Sequence, residues 1–215
     1  MDLKTLRRIT NLESVPSPVH FRAIIPNGFS FGLVGTGGIT AKELRFTCQT
    51  LIHVLTVADT KRGQVVTTSG QPEPLSRGWY RCAKILTGKN EDFYRRFGLR
   101  IDFIFPSTLI DLFLSTGVFE RIARESKTSI LVKKECLMRS TERMVRIRMP
   151  DFEEQSLLAF KTAVHLLAIV VQENITVAMC SPGNVYYVQE LQDNLWTYTK
   201  EDLNNDTLFT PVQMN

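Results

Sequence analysis

Side chains able to do chemistry gather in a few stretches of this chain. Between Phe31 and Thr40 runs G-L-V-G-T-G-G-I-T. An apolar strand, a glycine turn at Gly35, Gly37 and Gly38, and a capped helix would let backbone N–H groups close on a pyrophosphate, with Thr40 at the helix mouth. The pattern is partial. A full G-x-G-x-x-G would need a third glycine where Thr40 stands, no acidic residue follows to take a ribose, and no βαβ run continues. A plain turn is the first reading, and a nucleotide site at Gly35, Gly37, Gly38 and Thr40 the alternative. Gly28 to Gly32 spells G-x-S-x-G, the nucleophile elbow of serine hydrolases, but the elbow needs a helix directly behind it and here the helical pattern starts later.

Acid–base and metal chemistry find less support. His20, His53 and His165 have no metal-ligand spacing, and His165 lies in an apolar run where a hydrogen-bonded core role is the simpler account. The acidic pairs Glu91-Asp92 and Glu153-Glu154 are sequence neighbours, suited to helix starts and not to facing each other across a cleft. Cys48, Cys82, Cys136 and Cys180 form no C-x-x-C, which points to reduced, mostly buried thiols. No enzyme, metal or cofactor is expected.

The cations are the stronger constellation. Arg77, Arg81, Lys84, Lys89, Arg95, Arg96 and Arg100 interleave with Trp79, Tyr80, Phe93, Tyr94 and Phe97. A second group, Lys133, Lys134, Arg139, Arg143, Arg146 and Arg148, lies on and around one predicted strand. Cations beside aromatics suit phosphate contact with base stacking, and equally a membrane interface. Charge is also unevenly placed. Residues 1–150 hold 24 Lys plus Arg against 13 Asp plus Glu, and residues 151–215 hold 2 against 9, within a net charge of +4. A basic body could attract phosphate or anionic lipid, and the acidic C-terminal part could dock a second copy.

These residues need elements to position them. Asp151 to Asn174 reads as a helix entered from Pro150 and apolar around most of its circumference, with Lys161 and His165 interrupting the run. It is predicted as a core helix, not a membrane anchor. A hairpin is predicted from Val19–Ile25 and Phe29–Val34 around Pro26-Asn27-Gly28, followed by an amphipathic helix from Thr40 to Ala58 opened by a capping box. Strands are predicted at 64–68, 79–86, 97–105, 130–133 and 142–149, a helix from Pro106 to Ile122 split near Gly117, and a loop from Ser69 to Gly78. A short helix at 2–10, a hairpin across 175–191 and a strand at 195–199 complete the reading. Strands cluster instead of alternating with helices. The fold class is therefore α+β, a mostly antiparallel sheet packed on two or three long helices. The chain divides into an N-terminal segment 1–18, one globular domain 19–199 and a flexible acidic tail 200–215.

The order of P-N-G-F-S-F (Pro26 to Phe31), the helix from Thr40 to Ala58, the proline loop G-Q-P-E-P (Gly70 to Pro74) and the Trp79-Tyr80-Arg81 strand resembles the globular domain of rhabdovirus matrix proteins over residues 19–86. The late-budding motifs P-P-x-Y and P-T-A-P common in that family are missing, V-P-S-P at 15–18 being the nearest. The resemblance implies a non-enzymatic structural protein of virions that self-associates, binds viral ribonucleoprotein or RNA, and lies peripherally on anionic inner-leaflet membrane in the host cytoplasm or nucleus. Arg77, Arg81, Lys84, Arg95, Arg96, Lys133, Lys134, Arg143, Arg146 and Arg148 would carry the anionic contacts. An accessory or adaptor protein is the remaining alternative.

Overall fold

The alternating side chains of β1 (Val19–Ile25) set the two faces of the molecule. Val19, Phe21, Ala23 and Ile25 turn to one side and are fully buried, while His20 and Arg22 turn to the other. The structure, a computed structural model, describes residues 17–26, 28–54, 63–175, 183–188 and 207–211. The remaining strands are β2 (Leu51–Val54), β3 (Gln64–Gly70), β4 (Arg100–Pro106), β5 (Ser129–Cys136), β6 (Glu142–Arg148) and β7 (Thr207–Phe209), in the order β2-β3-β1-β4-β6-β5-β7 with every pairing antiparallel. The helices are α1 (Phe31–Val34), α2 (Ile39–Cys48), α3 (Pro72–Lys89), α4 (Glu91–Phe97), α5 (Ser107–Ser115), α6 (Val118–Ser126) and α7 (Glu154–Glu173). The chain is a single α+β domain, with the long helices α3 and α7 packed against each other.

The main core fills the space between those helices and the sheet. Trp79 of α3 meets Phe103 of β4 edge-on at 4.9 Å and donates its indole N–H to Thr68 Oγ1 of β3 at 2.9 Å. An aromatic group and its polar handle are thereby both satisfied. Leu157, Phe160, Val164, Leu167 and Val171 of α7 close the layer. By length and composition α7 could cross a membrane, but half of its most apolar window is buried within the protein. A smaller cluster of Ile24, Val65, Ile104, Leu137, Met144 and Tyr187 covers part of the opposite sheet face.

Several predicted elements change type. Phe31–Val34 is a helical turn, not the return strand of a hairpin, and β1 pairs instead with β3 from Val19↔Gly70 to Ile25↔Gln64. The helix predicted to Ala58 stops at Cys48, where Gln49 takes a left-handed conformation, and β2 follows. The predicted loop 69–78 and strand 79–86 are mostly one helix. Pro72 sits in the first turn, where a missing N–H leaves nothing unsatisfied, and Leu75, Trp79, Cys82, Ala83 and Leu86 recur at helical spacing. Gly78 in that helix lies against Thr50, whose side chain a Cβ would meet at 2.8 Å.

Other predictions hold. Gly117 splits α5 from α6 as a left-handed N-cap, and in β6 Val145 and Ile147 share the helix-facing side. Within the tail expected to be loose, Thr207–Phe209 adds a strand to β5, and the Phe209 ring stacks on Phe119 at 5.9 Å. The helix predicted at 2–10, most of the 175–191 hairpin and the strand at 195–199 lie outside the described residues.

Candidate functional site

Each predicted cation can now be placed. Those of the first group lie on α3 and α4, except Arg100, which opens β4, and three of them pair with acids. Arg81 pairs with Glu43 of α2 at 2.5 Å, Lys84 with Glu154 of α7 at 2.8 Å, and Arg95 with Glu91 one turn back. Lys84 also lies over the Tyr80 ring at 4.9 Å, and its ammonium pKa is pushed up by hydrogen bonds to Glu154 and Tyr80. Arg77 is exposed and close to Glu73.

The second group is neutralised more deeply. Arg146 makes a two-pronged contact with Asp102 at 2.5 and 2.7 Å on the sheet face away from the helices. Arg143 is buried on the helix side, bound to Asp111 and to the Ser107 carbonyl at 3.1 Å. Lys133 is buried, and Lys134 is exposed. The expectation that both groups form one broad cationic surface is therefore corrected: Arg81, Lys84, Arg95, Arg143 and Arg146 are ion-paired, and Arg143, Arg146 and Lys133 are withdrawn from solvent. Isolated exposed pairs contribute little stability, but they do cancel local potential.

A third arrangement of cations lies at the corner where α4 turns into β4. Arg96 lies over the Phe97 ring at 5.3 Å, and Arg100 spans Phe93 and Phe97 at 5.2 and 5.0 Å. In the β4–β6 ladder Arg100 stands directly opposite Arg148, two like charges at adjacent cross-strand positions. Arg148 is exposed and has no acidic partner among the described residues. The Arg100 guanidinium pKa is lowered by burial first and then by Arg146 and Arg148, against the opposing pull of Asp102 and Tyr94. Burial likewise pushes the Tyr94 phenol up to about 12.

One glycine holds this corner together. Gly98 has φ +69 and ψ 169, and a Cβ there would lie 2.4 Å from the Met149 carbonyl oxygen and 2.8 Å from that of Pro150. The α4–β4 turn thus presses on the backbone that leaves β6, with Met149 N–H donating to the Leu99 carbonyl at 2.8 Å.

The glycine turn takes a different form from a phosphate cradle. Helix α1, not a strand, precedes it, and Gly38 caps α2 in a left-handed conformation, so Thr40 is the second helical residue. Thr40 Oγ1 occupies the space beside Gly35, where a Cβ would approach it to 2.3 Å. The strand–turn–helix context that would support a site at Gly35, Gly37, Gly38 and Thr40 is not formed. Ser30 of the G-x-S-x-G stretch is buried and donates to Gln64 Oε1, which leaves no exposed nucleophile there. Among the described residues no group of three His, Cys, Asp or Glu side chains could hold a metal. A cavity of about 240 Å³ lies elsewhere, between Val19, Ile104, Phe105, Val171, Ile175 and Tyr186. Its charged wall members, Arg22 and Glu142, are bound to each other.

Sequence reasoning missed Phe31, Ile39 and Phe46, which are 58%, 67% and 80% exposed. Ile39 and Phe46 are seven residues apart on α2, hence on one stripe, opposite the buried Leu44. That spacing was available in the sequence as a second apolar face. The chain matches no protein-family model and no curated protein.

Proposed function

We propose that this protein is a non-enzymatic, viral-matrix-like assembly protein that associates with copies of itself and attaches to phosphate-bearing partners in the virion. Ribonucleoprotein and the anionic inner face of a membrane are the two partners of that chemistry. The observation that carries the reading is the grouping of Arg96 and Arg100 on the rings of Phe93 and Phe97, with the exposed Arg148 across the ladder from Arg100, which puts three cations and two aromatic rings at one corner. Guanidinium groups lying on rings keep their N–H edges for phosphate oxygens while the ring face restricts their freedom. The order of motifs along residues 19–86 is the second support.

Attachment to phosphates releases counterions and therefore weakens with salt. With about three arginines engaged, the logarithm of affinity for a single-stranded RNA should fall by roughly two per tenfold rise in salt. Arg96→Glu combined with Arg148→Glu should lower affinity and flatten that slope, measured by fluorescence anisotropy. Salt-independent binding by the wild-type protein would overturn the reading.

A further inference from the structure

The lobe formed by α1 and α2 carries an apolar surface that the arginine corner does not explain. Phe31, Ile39 and Phe46 are the three side chains concerned, and each is more than half exposed. Lys42 and Arg45, both exposed and without an ion pair among the described residues, line one side of the stripe on α2, and Glu43 on its other side is neutralised by Arg81. The lobe is also joined to the corner. Phe29 at its base meets Phe93 edge-on at 5.2 Å, Phe93 lies 5.0 Å from Phe97, and Gly32 packs on Lys89, whose Cδ a Cβ would approach to 3.0 Å.

We infer that the α1–α2 lobe inserts Ile39 and Phe46 into the headgroup region of an anionic bilayer, with Lys42 and Arg45 contacting lipid phosphates. This deepens the proposed function and rests on it for the choice of an anionic partner. Two arguments select a bilayer over the other occupants. A base stacks on rings, and Ile39 offers none, so an RNA contact would leave that side chain without a role. A protein partner would need a patch of roughly 800 Å² a side, whereas the outer face of a ten-residue helix spans about 15 Å by 10 Å. A bilayer imposes no such area: it accepts a few apolar side chains at headgroup depth and adds attraction for each flanking cation.

The test compares full-length wild type, Ile39→Ser/Phe46→Ser, and Arg96→Glu/Arg148→Glu in three binding assays. The probes are phosphatidylcholine vesicles, equimolar phosphatidylcholine–phosphatidylserine vesicles, and a mixed-sequence single-stranded RNA. The serine variant should lose about tenfold or more in affinity for the mixed vesicles, since burying either side chain contributes on the order of 1.4 kcal/mol or more, and should bind RNA like the wild type. In a separate Phe46→Trp variant, emission should shift to the blue on adding mixed vesicles, but not on adding RNA or phosphatidylcholine vesicles. Unchanged vesicle binding by the serine variant, alongside loss in the glutamate variant, would overturn the inference and leave the proposed function standing. Absence of binding to both RNA and mixed vesicles by the wild type would overturn both.

Discussion

Replacing Gly98 with alanine tests how the candidate site is held in place. The backbone there, φ +69 and ψ 169, falls in a region essentially restricted to glycine, and holding another residue in it costs about 1–3 kcal/mol. The second contribution is contact. A Cβ would stand 2.4 Å from the Met149 carbonyl oxygen and 2.8 Å from that of Pro150, both of them backbone atoms. Relief requires the α4–β4 turn to lift away from the end of β6, which stretches the 2.8 Å hydrogen bond from Met149 N–H to the Leu99 carbonyl. That bond contributes about 1 kcal/mol. Together these give a loss of roughly 3 kcal/mol, or about 6–12 °C in Tm for a domain of this size. Gly37→Ala is the control, because its φ of +61 is also positive but a Cβ there meets nothing within 4 Å; it should cost only about 1–2 kcal/mol. Urea titration followed by far-UV circular dichroism measures both variants. Because the lifted turn carries Arg96, Phe97 and Arg100 away from Arg148, Gly98→Ala should also weaken RNA or vesicle binding under conditions where it remains folded. Equal stability losses at the two glycines would refute the close-approach argument.

Three other perturbations address the core and its ion pairs. Asp102→Ala leaves Arg146 buried without its carboxylate and beside Arg100, and should destabilise by about 3–5 kcal/mol in urea titration. Burial raises the Glu73 pKa and its contacts with Lys161, His165 and Arg77 outweigh that effect, so its carboxyl is net lowered from 4.5. A lowered carboxylate stabilises above its unfolded pKa and loses that contribution as pH falls through the folded value; since its side chain is half exposed, Glu73→Gln should cost under about 1 kcal/mol at neutral pH. The difference from wild type should shrink as pH falls below 4.5 and vanish once the folded carboxyl is also protonated, in acid titration of stability. Among the described cysteines, exposed Cys136 should alkylate with iodoacetamide at once, while Cys82, buried and pushed up to about 12, should react only after unfolding. Peptide mass mapping of native and urea-treated protein separates the two.

Some of this could be read along the chain. Alternation in Val19–Ile25 and Glu142–Arg148, the apolar run around most of the circumference of Glu154–Glu173 and the break at Gly117 are local signals, and each produced the element expected. The error at 72–89 was one of period: prolines at 72 and 74 suggested a loop, although both fall in a first helical turn, where proline is tolerated. The error at Phe31–Val34 was one of partner. Asn27-Gly28 invites a hairpin, but the hydrogen bonds of β1 are taken by β3, about forty residues on, and by β4.

Residue types alone determined that the chain is α+β, that its cations outnumber its acids before residue 150, and that no catalytic set stands out. Tertiary structure alone decided which cations meet acids and which gather beside aromatic rings. Glu43 reaches Arg81, Glu154 reaches Lys84, and Asp102 reaches Arg146 across 38 to 70 residues of sequence, while Arg96, Arg100 and Arg148 converge on one corner. The physical reason is range. Periodicity is a property of neighbours along the chain, whereas the potential at a surface depends on through-space separation and burial, and neither quantity exists until the strands have paired.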